Sequence, residues 1–477
     1  MILYNKQEIH LVSPVCYIVG GEDLFIAKTI YNKTSELESI IGHQKVQKDK
    51  DYRFIYLCKI IRQDDTILIF NMLTSHLIKI DKDLFQILNE GHYCTDYDFY
   101  ITNWFLVPID FDEFKLLTQI ENIKAVINNK GKFFNQYTIL TTTSCNANCY
   151  YCFERKNNIT MNGHIAHDCA KFIVSNCDKK KSVSIRWFGG EPLCNKSAIN
   201  IICNDLKKND IKYVSSIVSN CSLFSKNDIE IAKQNWNLKR VQVTIDGTEK
   251  IYNKTKAYKG YSANPFESVL NNIKMLLQNE IQVICRINFD CNYEKDMYAL
   301  VDKLLVDFGI TSLFKIQAHL IYKYNNDKRI PTNEDELEKF LDFQKYVYSK
   351  NVLLVIDPKD IMRQYHCMAD NPNAVVILPN GKLGKCDYYV DSDTFGDIYN
   401  SKYDYDLINK YNEFNKDSKC NNCKFRPICS KLDKCPNTVS SCYENRILLE
   451  KKIEYWMLTK YKDYVEYEKN YDNTVLK

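Results

Sequence analysis

Between residues 137 and 320 apolar and polar positions alternate in six short runs: YTILTTT (137–143), SVSIRWF (182–188), YVSSIVS (213–219), RVQVTI (240–245), IQVICRINF (281–289) and FKIQAHL (314–320). A period of two marks strands with a core-facing side. Between them, at 164–177, 196–208, 226–234, 265–279 and 294–307, apolar residues recur at helical spacing, and 334–350 follows the sixth run in the same way. Strand–helix alternation predicts a parallel sheet with right-handed crossovers. Six units fall short of the eight that close a barrel. The pattern therefore predicts an α/β fold with a partial (β/α)6 TIM-type barrel over residues 131–355. Its chemistry belongs at the C-terminal ends of the strands.

The flanks read differently. Residues 1–130 form a small α+β module: strands at 53–61, 66–72 and 76–80, with Asp64-Asp65 as the first turn, then helices at 83–90 and 112–129. After 360, AVVILPNGKLGKCDYYV (374–390) predicts a hairpin turning at Asn380-Gly381. The rest of 360–445 is irregular and rich in cysteine. Such a segment buries too little to fold unaided and calls for metal staples. A helix at 446–469 lies within the terminal segment 446–477.

Composition narrows the function. The 477 residues carry a net charge of +4, 45% hydrophobic and 26% charged residues. That is the profile of a globular protein with no nucleic-acid or membrane footprint. No run of 18 apolar residues occurs, and MILYNKQEIHLVSPVCYIVGG lacks the layout of a secretory signal. The expected compartment is the cytoplasm, where disulfides do not persist. The chain nevertheless has 20 cysteines. Ten are scattered (Cys16, Cys58, Cys94, Cys169, Cys177, Cys194, Cys203, Cys221, Cys285 and Cys291) and read mostly as small buried hydrophobes. The other ten are clustered, which points to metal or redox chemistry.

Cys145, Cys149 and Cys152 directly follow the first barrel strand. A tetrahedral zinc needs four ligands and a disulfide two. Three thiolates can hold three irons of a 4Fe-4S cluster and leave the fourth open to a chelating cofactor. With Tyr151 before the third cysteine, this stretch resembles the signature of radical S-adenosylmethionine (SAM) enzymes. WFGGEPL (187–193), after the second strand, matches that family's second motif. The resemblance implies that Gly189, Gly190 and Glu191 hold the amino group of SAM, and that Ser219 and Asn220 lie near its ribose. By itself, GGEP also reads as a turn and Ser219-Asn220 as a helix cap. Asp246-Gly247 ends the fourth strand as in relatives. Ten residues on, Lys256 stands where many relatives carry an arginine for the cofactor carboxylate; a lysine brings the charge without the bidentate fork.

The late cysteines resemble a SPASM domain, which holds two auxiliary 4Fe-4S clusters. Cys367, then Gly381 and Cys386, then Cys420-x2-Cys423-x5-Cys429, Cys435 and Cys442 follow its order. Two departures stand out: five residues, not three, separate Cys429 from Cys435, and Ile361 takes the place of a further cysteine found in some relatives. The resemblance implies that Cys420, Cys423, Cys429 and Cys442 ligate one cluster, and Cys367, Cys386 and Cys435 the other. His366 is adjacent to Cys367, though a lone histidine is commonly a surface or packing residue. One or two zinc sites remain the alternative for this region. Asp387 sits where sulfatase-maturing relatives carry a catalytic base.

The implied reaction starts with one electron passed to SAM, and a 5′-deoxyadenosyl radical then takes a hydrogen from a substrate carbon. The implied function is maturation of a ribosomally made peptide or protein by a crosslink or oxidation. The implied partners are that precursor and an electron donor such as flavodoxin or ferredoxin. Residues 1–130 resemble leader-peptide recognition domains, with a structural cap on the barrel as the alternative. Two other functions stay open: an anaerobic sulfatase-maturing enzyme that forms formylglycine, and a zinc-binding interaction module.

Overall fold

The computed structural model describes residues 27–32, 40–93, 97–128, 133–154, 157–260, 264–321, 323–325, 328–330, 332–358, 367–388, 393–400, 402–411, 418–429 and 442–475. Cys16, Cys94, Ile361, His366 and Cys435 lie outside them.

The N-terminal region contains β1 (Lys28–Tyr31), β2 (Tyr52–Phe54), β3 (Cys58–Gln63), β4 (Thr66–Asn71), β5 (His76–Asp81) and β6 (Leu106–Pro108). An antiparallel sheet runs β1–β5–β4–β3, and β2 pairs separately with β6. The strand expected over 53–61 is thus two strands in two sheets. The break falls at Ile55–Leu57, where Ile55 N donates to Phe105 O and Leu57 O accepts from Met72 N. Ile55 and Leu57 are both buried. An unbroken strand could not send one half to β6 and the other to β4. Alternation along β4 and β5 gives the sheet two apolar faces. Ile67, Ile69, Ile78 and Ile80 pack with Leu84 and Leu88 of helix Lys82–Glu90. Leu68, Phe70 and Leu77 face Phe425, Trp456 and Met457, far along the chain.

The barrel strands are β7 (Gln136–Thr142), β8 (Val183–Gly189), β9 (Tyr213–Ser219), β10 (Leu238–Thr244), β11 (Gln282–Phe289) and β12 (Phe314–Leu320). All five neighbouring pairs are parallel and in chain order. The partial barrel is as expected. Local signals start its helices: Asn162 caps Gly163–Asn176, and Ser225 with Asp228 forms a capping box before Lys226–Gln234. The outward side chains of the strands, among them Ile185, Trp187, Val241, Val243, Val283 and Ile287, are buried under the helices in one core. A short hairpin, β13 (Lys323–Asn325) and β14 (Lys328–Ile330), follows β12.

Beyond residue 360 the sheet continues. β15 (Ala374–Ile377) pairs parallel with β7, and β16 (Lys382–Gly384) and β17 (Thr394–Asp397) extend it antiparallel, giving nine strands. Ala374 to Ile377 are buried on both faces, which suits a central strand. The turn at Asn380-Gly381 is as expected, with Gly381 at φ +81°. The terminal helix runs from Cys442 to Val475, longer at both ends than its pattern suggested. Its Trp456 lies 4.7 Å from the Phe70 ring and 5.1 Å from Tyr31, and Nε1 donates to Asp357 Oδ1 at 2.9 Å. Among the described residues no helix is long and apolar enough to cross a membrane.

Trp456 pins the terminal helix to the N-terminal sheet. Replacement by alanine should cost about 3–5 kcal/mol of stability, measured by denaturant unfolding. A loss below about 1 kcal/mol would show that this packing is dispensable.

Candidate active site

The loop after β7 is closed at its neck. Met161 N donates to Thr141 O (2.9 Å), Thr143 N to Ile159 O (2.8 Å), and Ile159 N to Thr143 Oγ1 (2.9 Å). The loop carries Cys145 and Cys149, both part-buried, and Cys152, exposed. All described cysteines are thiols, none in a disulfide. Of the scattered ones, Cys169, Cys177, Cys203, Cys221 and Cys285 are buried as expected, whereas Cys194 is exposed.

One buried ion pair holds the loop from below. Lys256 Nζ lies 2.8 Å from Asp246 Oδ2, with the two side chains 3% and 2% exposed. Lys256 Nζ also donates to Tyr151 Oη at 2.9 Å, and Tyr151 Oη donates to Asp246. The other carboxylate oxygen of Asp246 accepts from Asn288 N on β11. Asn148 N donates to Lys256 O at 2.7 Å, and Lys259 N to Asn146 O at 2.9 Å. Burial would push the Lys256 ammonium down; the Asp246 carboxylate, with Tyr151 and Cys149, holds it well above its ordinary value. Helix Glu249–Lys256, which places the lysine, was not evident in the sequence pattern. The expected role of Lys256 was charge for a cofactor carboxylate. In this structure its ammonium is engaged by Asp246 and Tyr151.

The GGE segment lies against the start of the same loop. Gly190 N donates to Thr142 O (3.0 Å) and Glu191 N to Ser144 O (2.9 Å). A Cβ on Gly189 would sit 2.2 Å from Thr142 O, and one on Gly190 2.3 Å from Ser144 O. Gly189 also has φ +123°. The glycines therefore let two backbone segments meet, a closer constraint than approach to a ligand. Glu191 is fully buried. Its carboxylate accepts from Ser219 Oγ (2.8 Å), Leu193 N (3.1 Å) and Asn220 N (2.7 Å). Burial pushes its carboxyl up to about 6 against those donors. Asn220 Nδ2 donates to Asn146 Oδ1 at 2.8 Å. Strand ends β7, β8 and β9 are thus knitted together by the residues the motifs singled out. Asn146 belongs to this network and carried no sequence signal beyond its place in the loop.

In the third region, beyond residue 360, Cys420, Cys423 and Cys429 lie along a run of successive turns: Cys423 N donates to Cys420 O, and Cys429 N to Phe425 O. Cys442 opens the terminal helix, and Cys367 and Cys386 flank the hairpin. Asp387 Oδ2 accepts from Arg186 Nη2 at 2.6 Å. Phe153, beside Cys152, stacks on Tyr388 at 5.3 Å. Two contacts therefore join the first cysteine loop and β8 to the segment after Cys386. Among the described residues no three His, Cys, Asp or Glu converge as around a single metal ion. The thiolates of a four-iron cluster stand further apart than that.

The sequence pattern of the Radical SAM superfamily matches residues 139–293, from β7 to the segment after β11. This stretch is a radical SAM domain. The chain is 23% identical over 456 residues to the radical SAM cyclopropyl synthase TigE of Paramaledivibacter caminithermalis, covering 83% of this chain and 92% of TigE. It is 22% identical over 275 residues to a GTP 3′,8-cyclase of Clostridium perfringens, 54% of this chain and 81% of that one. Its fold is similar to that of anSMEcpe solved with AdoMet and the Kp18Cys peptide, at TM-score 0.51 and 15% identity, over 69% of this chain and 98% of that one. Radical SAM enzymes use a 4Fe-4S cluster and SAM. The site fits both: three thiols on one tethered loop, and a close-packed polar rim formed by the ends of β7–β9.

In this radical SAM domain, Lys256→Met should cost about 3–5 kcal/mol, because it leaves Asp246 buried without its counterion. Lys256→Arg should cost less. Chemical unfolding of the metal-free protein checks this. Unchanged stability with weakened SAM binding would instead make Lys256 a direct cofactor ligand.

Proposed function

We propose that this chain matures a ribosomally made peptide or protein, removing a hydrogen from one residue to install a crosslink or an oxidation. The observation that carries the reading is the tethered loop of Cys145, Cys149 and Cys152 at the C-terminal end of the first barrel strand. In this reading those thiols hold the cluster and leave one iron to SAM. Cys367, Cys386 and Cys435 hold one auxiliary cluster, and Cys420, Cys423, Cys429 and Cys442 the other. Bound there, cluster and SAM supply hydrogen-atom abstraction from an unreactive carbon.

The chain's own residues do the rest. The Lys256–Asp246–Tyr151 pin keeps the loop in one position. Glu191, Ser219 and Asn220 fix the rim on which SAM lies. The stack of Phe153 on Tyr388 closes the loop against the third region and helps keep water out. An extended leader segment pairs with β3, which is an edge of its sheet among the described residues. An electron donor such as flavodoxin or ferredoxin supplies the reducing electron. A peptide substrate is supported by anSMEcpe, a protein of similar fold solved with AdoMet and a peptide bound. TigE, alike over most of both chains, is named a cyclopropyl synthase, so ring closure within a residue joins the candidate modifications.

A second reading is formylglycine formation, as in sulfatase-maturing enzymes. It is favoured by Asp387, which directly follows Cys386 as the base of sulfatase-maturing relatives does; its carboxylate is paired with Arg186 on β8 and would have to leave that partner to take a proton. The distinction lies in the substrate. Anaerobically reconstituted and reduced protein should form 5′-deoxyadenosine from SAM, and Cys149→Ala should form none. A mass change in a short peptide encoded beside the gene supports peptide maturation. A change only in a sulfatase-derived Cys or Ser peptide supports the second reading. No 5′-deoxyadenosine from protein with its clusters loaded, in the presence of either peptide, contradicts both.

A further inference from the structure

The six barrel strands β7 to β12 contain no aspartate or glutamate. They contain five cations: Lys239, exposed at a bulge in β10, and Arg186, Arg240, Arg286 and Lys315, these four on positions alternating with the outward core residues. These four cations therefore line the concave wall. The layers of bulky apolar side chains that fill a closed barrel are interrupted here by charge. In register, Arg186 pairs with Ser216 and Ser216 with Arg240, so two guanidinium groups flank a small hydroxyl. Arg240 Nε donates to Gln282 Oε1 at 2.6 Å, and Arg286 Nε to Asn288 Oδ1 at 2.8 Å. Burial lowers the Lys315 ammonium from its ordinary value, the mark of a cation short of solvent.

Arg186 is the member with unused capacity. One nitrogen, Nη2, serves both Asp387 Oδ2 (2.6 Å) and the weak acceptor Met368 Sδ (3.3 Å). The guanidinium lies 5.2 Å from the centre of the Phe188 ring. Its Nε is buried with no hydrogen-bond partner. A buried donor left unpaired is costly, and a guanidinium edge matches a carboxylate in two parallel bonds. Asp387 occupies one nitrogen, and the Arg186 side chain is still 32% exposed, so the group presents surface to a second carboxylate.

We propose that Arg186 anchors the substrate by a carboxylate, supplied by an Asp or Glu side chain or by the peptide's own C-terminus. The proposal rests on the peptide reading above and adds its specificity. A polyphosphate such as a nucleotide's fits less well, because the Asp387 carboxylate adjoins the anchor and would repel several negative charges at once.

The test is selection of random dodecapeptides displayed in two formats, with the C-terminus free or fused to the carrier. Holoenzyme with SAM is the bait, and Arg186→Gln and Arg186→Lys are parallel baits matched for cluster content and melting temperature. Asp or Glu enriched at one fixed position in both formats identifies a side-chain carboxylate; dependence on the free format alone identifies the terminus. Either supports the proposal if Arg186→Gln lowers recovery of the selected peptides tenfold or more and Arg186→Lys lowers it less. Peptides without acidic enrichment, equal recovery on Arg186→Gln, no enriched peptide at all, or Arg186-dependent binding of GTP in equilibrium dialysis would each overturn it. 5′-Deoxyadenosine measured on the same preparations tells failure of this proposal from failure of the peptide reading.

Discussion

The architecture of the site depends on one buried ion pair. Lys256 and Asp246 are almost fully removed from water, and neither charge is tolerable there without the other. Asp246 lies two residues beyond the end of β10 and Lys256 ends the helix that follows, so the pair staples the mouth of the strand to its own helix. The same ammonium reaches Tyr151, one residue before Cys152, and its backbone carbonyl takes Asn148 N. A loop bearing three thiols, tethered only at its neck, acquires a second fixed point between the cysteines.

Around that pin the rim is built by backbone contact. Gly189 and Gly190 admit Thr142 and Ser144 at distances no other residue allows, and Glu191 then turns inward to gather donors from the end of β9. The consequence is a rim held by contacts within the chain itself. Below it the wall changes character, from packed backbone to spaced cations. Above it, contacts of Asp387 and Phe153 bind the third region to the mouth. The terminal helix, through Trp456 and Met457, brings the N-terminal sheet to the same assembly.

Much of this was legible in the sequence. All six barrel strands lie within two residues of their expected bounds, because each has its core on one side and polar positions on the other. The cysteine loop and the GGE segment stood out because few purposes require those residues at those spacings. Other features were hidden. The run 53–61 looked like one strand, since hydrophobicity does not record a change of partner at Ile55–Leu57. β15 looked like the start of a separate hairpin, since an apolar run does not announce which sheet it joins. Lys256 was visible as a cation, but its burial against Asp246 depends on a helix whose sequence, EKIYNKTK, has few apolar residues to mark it. The cationic wall needed the strands' facing to be known before four scattered residues became one surface. Cys435 lies outside the described residues, so its expected role is carried by the proposal alone.

The central claim is that three thiolates at the end of β7 hold a cluster with one iron left for SAM. The most direct measurement is the electron paramagnetic resonance spectrum of the reduced, reconstituted protein with and without SAM. Beside it goes a variant with Cys145, Cys149 and Cys152 replaced by alanine. The account predicts a cluster signal that SAM shifts in the wild type and no SAM-sensitive signal in the variant. A spectrum that SAM leaves unmoved, or protein that retains zinc and takes up no iron at these cysteines, would contradict it.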